Sequence, residues 1–147
     1  MIQIMRMDSK HVEQIAELEK LCFSAPWSAT SIRSELTNPL SLWLVAVCGE
    51  DVVGYVGSQT VMGEADMMNI AVLPTHRKQG IAQGLVEALI KALHEVGAYQ
   101  LTLEVRASNA PAQALYSKMG FEQIGRRPNY YRAPKEDALI LRKEWTL

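Results

Sequence analysis

The sequence contains few of the residues that build disulfide or metal frameworks. Only two cysteines, Cys22 and Cys48, occur among 147 residues, too few for a disulfide framework and without partners at metal-ligand spacing. The three histidines, His11, His76 and His94, are scattered along the chain. The sequence therefore predicts no metal site and favours a reducing, cytoplasmic location.

Neither a charge excess nor a long apolar run is present. Fifteen Lys+Arg against sixteen Asp+Glu leave a formal net charge of −1, which disfavours nucleic acid or an anionic membrane as the main partner. No apolar run approaches the roughly 18–20 residues of a membrane span, and residues 1–6 alternate instead of forming a signal segment. We therefore expect a soluble, unexported protein.

The length is that of one domain. A folded chain of this size buries roughly 68–70% of the surface that its unfolded form exposes, so a core forms without staples. Of the 147 residues, 48% are hydrophobic, which is enough to fill such a core. We expect a single domain over residues 1–147.

Apolar periodicity divides the chain into helices and strands. Helical spacing predicts a first helix with Val12, Ile15, Ala16, Leu18 and Leu21 on its inner side. The predicted helices are residues 9–23, 31–36, 81–96 and 109–119, and the predicted strands are residues 2–6, 42–48, 52–61, 65–72, 99–105, 121–127 and 138–143. This order places antiparallel hairpins in front and one strand-helix-strand crossover behind, which indicates a mixed α/β sheet.

The most informative stretch is residues 69–82, which read NIAVLPTHRKQGIA. A strand and a loop lead to a long helix that begins at about Gly80. Unpaired N–H groups at the helix start form an anion site that fits a pyrophosphate, because Gly80 and Ala82 allow close approach and Arg77 and Lys78 stand beside them. A plain connecting loop with solvated basic residues is the alternative. The spacing excludes a P-loop and the full dinucleotide fingerprint.

Val72-x-Pro74 followed by Arg77-x-x-Gly80-x-Ala82 resembles the acetyl-CoA-binding motif of the GNAT N-acetyltransferases. The resemblance implies the GNAT fold, a central, mostly antiparallel sheet with one βαβ crossover and helices on both faces. It also implies that the loop amides bind the pyrophosphate of acetyl-CoA and that the preceding strand diverges from its neighbour to admit the pantetheine arm. The implied cofactor-binding residues are Ile70, Ala71, Val72, Arg77, Lys78, Gln79, Gly80, Ile81, Ala82 and Asn109.

A second block, residues 104–121, contains Glu104, Asn109 and Tyr116. The last two are seven residues apart, nearly two helical turns, so their side chains lie about 10 Å apart along one helix face. Singly, each residue has a structural explanation: a helix cap for Asn109, a core aromatic for Tyr116 and a solvated strand residue for Glu104. Together with Gly120-Phe121 they resemble the second half of the GNAT family pattern.

Three further segments narrow the resemblance to the bacterial ribosomal-protein-alanine N-acetyltransferases, the RimI group. They are FSAPWS at 23–28, EVRASN at 104–109, and RPNYY at 127–131 with EDAL at 136–139. The similarity covers essentially the whole chain. Two departures are that Ala82 stands where this group often has a second glycine, and that Asp66-Met67-Met68 stands where it usually has a His and two apolar residues. It implies that the acceptor is a protein N-terminus, with alanine on a small-subunit ribosomal protein as the expected target.

The same resemblance assigns Glu104 as general base and Tyr116 as general acid, with Trp27 and Tyr131 beside the acceptor. An α-amine has a pKa of about 7.7–8.0 against about 10.4 for Lys, so it is the easier nucleophile at neutral pH. Proton transfer from a tyrosine to a thiolate is uphill by roughly 2 kcal/mol in water, so we expect Tyr116 to act partly as a hydrogen-bond donor.

Two alternatives remain at this stage. The same chemistry on a lysine side chain, a polyamine or another small-molecule amine would be favoured by an acidic acceptor groove, for which Glu64, Asp66 and Glu104 are the candidates. A non-catalytic CoA-sensing module would need residues 77–82 but neither Glu104 nor Tyr116. Because both are present, the sequence favours an enzyme.

Overall fold

The computed structural model describes all 147 residues. Its strands and α-helices, in chain order, are β1 Ile2–Arg6, α1 Val12–Cys22, α2 Ala29–Glu35, β2 Ser41–Cys48, β3 Asp51–Val61, β4 Glu64–Val72, α3 Ile81–Glu95, β5 Gln100–Arg106, α4 Ala110–Lys118, β6 Glu122–Arg132 and β7 Lys135–Glu144. Short 3-10 turns over Ser9–His11 and Pro74–His76 precede α1 and follow β4. None of the helices has the length and apolarity that crossing a bilayer requires.

The strands form one sheet in the order β1-β2-β3-β4-β5-β7-β6. Only β4 and β5 are parallel neighbours, and α3 connects them as the predicted βαβ crossover. The other neighbouring pairs are antiparallel. The helix α4 leads from β5 to β6, which lies beyond β7. The predicted mixed, mostly antiparallel sheet is therefore confirmed.

Two separate cores cover the two faces of the sheet. On one face, α1 and α2 pack on β2 and β3 around Ile15, Ile32 and Trp43. On the other face, α3 packs on β1 to β4, and a larger cluster that includes Leu89 of α3 and Tyr116 of α4 continues onto β5 and β7. The alternation within β5 decides which side chains face which helices, because Leu101, Leu103 and Val105 all belong to the larger core. Glu104 therefore points to the opposite face.

One residue predicted to lie inside α1 is on its surface. Leu21 is 62% exposed, whereas Glu19 is 1% exposed. Glu19 follows Ile15 by four residues and therefore shares its face of the helix, whereas Leu21 is rotated away. The prediction for Leu21 was wrong because it assigned the inner positions by side-chain hydrophobicity alone. Hydrogen bonds stabilise the buried carboxylate of Glu19.

The C-terminal strands are longer than predicted and form one extended hairpin. β6 continues to Arg132 and β7 begins at Lys135, whereas the sequence indicated strands only over 121–127 and 138–143. The pairing slips between Arg127 and Tyr131, where Asn129 takes a positive φ of 53° and its N–H donates to Asp137 Oδ1 at 2.8 Å. This bulge interrupts the strand pattern in the sequence but preserves the hairpin.

Candidate active site

A gap opens between β4 and β5. The two strands pair only over Glu64–Asp66 and Gln100–Thr102, at their N-terminal ends. Beyond this point β4 stays paired with β3, and β5 stays paired with β7. Met68 bulges from β4 where the register with β3 shifts, just after the strands part. The divergence of the strand that precedes the loop is thus present in the structure.

The backbone of β4 directs polar groups into this gap. Leu73 N–H donates to Val53 O on β3 at 2.8 Å. In an antiparallel pair, every second residue of a strand turns its N–H toward the same neighbouring strand, so Ala71, which lies opposite Tyr55, also turns its N–H toward β3. The N–H groups of Ile70 and Val72 then face β5. Of the three β4 residues expected beside the cofactor, these two present N–H groups to the gap, and Ala71 contributes only packing.

The loop before α3 carries a run of free amides. The backbone N–H groups of residues 77–83 donate no hydrogen bond within the protein, and the first bond of the helix runs from Gly84 N to Gly80 O at 3.0 Å. Lys78 and Gly80 have positive φ angles of 62° and 79°. A Cβ placed on Gly80 would meet no protein atom within 4 Å. The amides therefore face open space, and this arrangement fits a phosphate group at a helix start.

The Arg77 side chain turns inward from this loop. Its Nε donates to Val72 O at 3.2 Å, and its Nη2 lies 3.6 Å from Cys22 Sγ. These contacts join the loop to the end of β4 and to the last residue of α1. Arg77, Lys78 and Gln79 are all exposed, but the side chains of Lys78 and Gln79 make no hydrogen bond within the protein and are therefore free to reach a ligand.

Glu104 lies on β5 beside the gap, where its side chain is 31% exposed. Its Oε2 is 3.2 Å from Arg127 Nε on β6. The other carboxylate oxygen has no hydrogen-bond donor or cation of the protein within bonding distance. The carboxylate is thus held from one side and available to a substrate from the other.

Tyr116, in the last turn of α4, is 5% exposed and packs edge-on against Phe121 with ring centroids 5.4 Å apart. Its hydroxyl makes no hydrogen bond to the protein and is not among the fully buried unpartnered polar atoms, so it retains contact with solvent. Burial, with a smaller contribution from the nearby Tyr131, raises the pKa of Tyr116 to about 12. The group is therefore a neutral hydrogen-bond donor at physiological pH.

Asn109 is the N-cap of α4. Its Oδ1 accepts a hydrogen bond from Ala112 N–H at 3.2 Å, so the structural role suggested by the sequence is real. The Nδ2 group makes no hydrogen bond within the protein. Capping thus leaves a donor with which Asn109 can also contact a ligand.

Tyr131 lies on the β5 side of the gap. Its ring stacks on Arg106, whose Cζ is 4.2 Å from the ring centroid. Arg106 Nη1 is 3.2 Å from Glu136 Oε1, and Glu136 Oε2 accepts from Ser108 N–H at 3.0 Å. Burial, followed by the Glu104 charge, raises the pKa of Tyr131 to about 12. These contacts fix the hairpin against β5 with Tyr131 close to Glu104.

Trp27 lies on the β4 side, in the loop between α1 and α2. Its ring packs edge-on against the Trp43 ring with centroids 5.4 Å apart. Its backbone N–H donates a hydrogen bond to Glu19 Oε1 at 2.8 Å. Glu19 Oε2 accepts from Asn69 Nδ2 of β4 at 2.7 Å. Trp27 and Tyr131 are therefore attached to the two strands that border the gap.

The sequence did not predict that Glu19, Asn69 and Arg127 take part in this site. Glu19 contacts Trp27 and Asn69, and Arg127 contacts Glu104. Only Glu19 left a signal in the sequence, as a charged residue on the apolar face of an amphipathic helix. No group of three or more His, Cys, Asp or Glu side chains is arranged to hold a metal ion.

Strands that part beyond Asp66 and Thr102, with free amides at the start of α3, are the arrangement that an acetyl-CoA-dependent N-acetyltransferase requires. The acetyltransferase (GNAT) family model matches residues 12–121, and the chain belongs to this family.

The similar proteins and solved structures include ribosomal-protein-alanine N-acetyltransferases. The [ribosomal protein bS18]-alanine N-acetyltransferase of Escherichia coli K12 is 37% identical over 133 residues, 89% of this chain and 85% of the relative. The crystal structure of the ribosomal-protein-S18-alanine N-acetyltransferase from Escherichia coli superposes with a TM-score of 0.91 at 32% identity, covering 100% of this chain and 96% of that one. A chain of the NatC complex bound to Gag peptide and CoA is similar with a TM-score of 0.86 and 25% identity over 99% of both chains.

Proposed function

We propose that this protein transfers acetyl from acetyl-CoA to the N-terminal α-amine of alanine on the small-subunit ribosomal protein bS18. One observation carries the choice of acceptor: the 37% identity to the Escherichia coli bS18-alanine enzyme over 89% of this chain. The chemistry is supported independently by the parted strands and by Glu104 beside them.

The loop before α3 binds the pyrophosphate of acetyl-CoA in this proposal. The amides of residues 77–83 supply the donors, the side chains of Lys78 and Gln79 add polar contacts, and Ile81 and Ala82 supply N–H groups in the first helical turn. Asn109 Nδ2 contacts the cofactor from α4. The N–H groups of Ile70 and Val72 hold the pantetheine arm and polarise the acetyl carbonyl.

Bound acetyl-CoA supplies a thioester, and transfer forms a C–N bond, breaks the C–S bond, removes a proton from the amine and returns one to sulfur. Glu104 accepts the amine proton, directly or through water. Its unpartnered oxygen faces a region that a substrate can reach, which is the first requirement for a general base. Arg127 holds the other oxygen of the carboxylate.

Tyr116 stabilises the departing sulfur by hydrogen bonding in this proposal. With the pKa raised to about 12, proton transfer from Tyr116 to a thiolate of pKa about 8.5 is uphill by roughly 5 kcal/mol. The sequence predicted that Tyr116 acts both as a general acid and as a hydrogen-bond donor. Because burial raises the pKa of Tyr116, the hydrogen-bond donor role is favoured over proton transfer. The departing thiolate takes its proton from solvent, and the Glu104 carboxyl returns the amine proton to solvent, so protons balance over the cycle.

An α-amine suits this site better than a polycation. At neutral pH its neutral fraction is roughly a few hundred times that of a lysine side chain. Arg127 pairs with Glu104 and Arg106 pairs with Glu136, so the acceptor side carries no excess negative charge that would attract a polyamine. Trp27 and Tyr131 form the two walls between which the N-terminal residue binds.

A competition among peptides tests the acceptor. One peptide begins with free Ala, its matched control begins with N-acetyl-Ala and carries an internal Lys, and spermidine is the third substrate. We expect α-amine acetylation at least about 100-fold faster than either alternative, in line with the neutral fractions. Mass spectrometry locates the acetyl group. Preferential acetylation of Lys, or equal rates on spermidine, would show that the enzyme belongs to a different acceptor class.

A further inference from the structure

The proposed chemistry gives no role to Glu19, the more deeply buried of two buried carboxylates, Glu35 being the other. Glu19 on α1 is 1% exposed, and the ion pairs of the structure do not include it. Burying an ionised carboxylate is costly unless hydrogen bonds compensate. Burial raises the pKa of Glu19, and the hydrogen bonds from Trp27 and Asn69 act in the opposite direction. Those two donors therefore determine what the carboxylate does.

Each oxygen of Glu19 binds a different part of the chain. Oε1 accepts from Trp27 N–H at 2.8 Å, and Oε2 accepts from Asn69 Nδ2 at 2.7 Å. Trp27 lies in the loop between α1 and α2, which we call the acceptor loop, residues 23–28. Asn69 lies on β4, directly before Ile70, whose N–H faces the gap. The carboxylate thus joins the acceptor loop to the strand that holds the acetyl group.

The acceptor loop has few other attachments. The N–H of Trp27 makes the only hydrogen bond formed by residues 24–27. Ser24, Ala25 and Pro26 are exposed. The contact between the Trp27 and Trp43 rings is apolar and permits sliding, whereas a hydrogen bond to a charged oxygen fixes direction and distance. The position of the loop relative to β4 therefore depends on Glu19.

Glu19 itself does not touch the acceptor. Both of its oxygens are occupied, and its side chain is almost completely covered. A second general base is therefore excluded for this carboxylate, and its effect on the reaction acts through Trp27 and Asn69.

We propose that Glu19 is a positioning residue that clamps the acceptor loop to β4, so that the acceptor amine and the acetyl group meet in the correct register. This inference rests on the proposed function, because the acceptor loop matters to turnover only if it lines the acceptor. Displacing reacting groups by about 1 Å is enough to slow a reaction by roughly 10²-fold.

Relocating the charge within the clamp tests this role. In Asn69→Asp two carboxylates face each other and the clamp fails. In the double variant Glu19→Gln with Asn69→Asp, the Gln amide donates to the carboxylate introduced on β4, and its carbonyl oxygen still accepts from Trp27 N–H. The double variant has the same net charge as the native protein. Lys20→Gln, on the exposed face of the same helix, makes the net charge one unit more negative, as Asn69→Asp does, and is the matched control.

Kinetics with the Ala-initiated peptide and calorimetry with acetyl-CoA provide the readouts. We expect Asn69→Asp to raise the peptide KM by at least about 10-fold while acetyl-CoA affinity stays within about threefold, because a charge-assisted hydrogen bond is lost on the acceptor side. The double variant should return the KM to within about threefold of the native value, and Lys20→Gln should not change it. Equal defects in the single and double variants would overturn the proposal, as would an unchanged KM in Asn69→Asp.

A readout independent of activity separates this proposal from the acceptor assignment. The Trp27 amide should exchange hydrogen slowly in the native protein, faster in Asn69→Asp and slowly again in the double variant. If exchange follows this order but no Ala peptide is acetylated, the clamp exists and the acceptor assignment is wrong. Fast exchange of the Trp27 amide in the native protein would show that no clamp exists.

Discussion

Arg127 Nε lies 3.2 Å from Glu104 Oε2, which pairs the proposed base with a cation from the neighbouring hairpin. Their side chains are 57% and 31% exposed, so the ion pair contributes little to the free energy of unfolding. The pair instead orients the carboxylate. One oxygen is turned toward Arg127, and the other remains for the amine.

Glu104→Gln should lower kcat by roughly 10²-fold or more, because the amide cannot accept the proton of the amine. Acetyl-CoA affinity and the free energy of unfolding should change little, since the side chain is partly exposed. Stopped-time assays with the Ala-initiated peptide measure kcat, and calorimetry measures cofactor affinity. Native turnover in this variant would mean that another group or bulk water takes the proton.

Arg127→Gln should have a much smaller effect. We expect a loss in kcat/KM of about two- to fivefold, the range that corresponds to an exposed ion pair. Steady-state kinetics and urea unfolding on the same preparation check both parts. Arg33→Gln is the control, because Arg33 forms a comparable exposed pair with Glu13 at 2.7 Å, remote from the gap. A large loss for Arg127→Gln would instead place this guanidinium in direct contact with substrate.

Gly80→Ala should weaken acetyl-CoA binding by at least about 10-fold, because the added methyl group occupies the space before the free amides. The positive φ of 79° also strains any side chain there. Gly49→Ala is matched to it, since Gly49 has a φ of 65° and equally open surroundings in the β2–β3 turn. Both variants should lose similar stability in thermal unfolding, and only Gly80→Ala should lose affinity in calorimetry. Equal affinities would remove the phosphate site from this loop.

The sequence was sufficient for the features that depend on local pattern. Strict alternation in β5 identified Leu101, Leu103 and Val105 as core residues and left Glu104 on the other face. The loop before α3 was predictable because glycine at a left-handed helix cap and free amides are local properties. Asn109 was recognised as a cap for the same reason.

The remaining features depend on contacts between distant segments. The partner of Glu19 on β4 is 50 residues away, and no local pattern identifies it. The C-terminal hairpin was predicted too short because almost all of β6 is exposed, so its side chains show no inward-outward alternation. The positive φ of Asn129 adds a bulge that strand periodicity does not describe.

Tyr116→Phe separates the hydrogen-bonding role of the hydroxyl from the packing role of the ring. Phe preserves the edge-on contact with Phe121, so the fold and acetyl-CoA affinity should remain within a few-fold of native. Loss of the donor to the leaving sulfur should lower kcat by roughly 10²-fold. A thiol-release assay measures this directly, and an unchanged rate would reduce Tyr116 to a packing residue.

The raised pKa of Tyr116 also fixes the sign of a pH effect. Because burial raises the folded-state pKa to about 12, the hydroxyl stays protonated well above pH 8, and Tyr116 should cause no fall in kcat below about pH 10. In the unfolded chain the tyrosine ionises at about pH 10, so the native protein should lose stability as pH rises above that value. Tyr116→Phe should lose less over the same range. Urea unfolding at pH 8 and pH 10.5 compares the two proteins, and identical losses would contradict the burial of this hydroxyl.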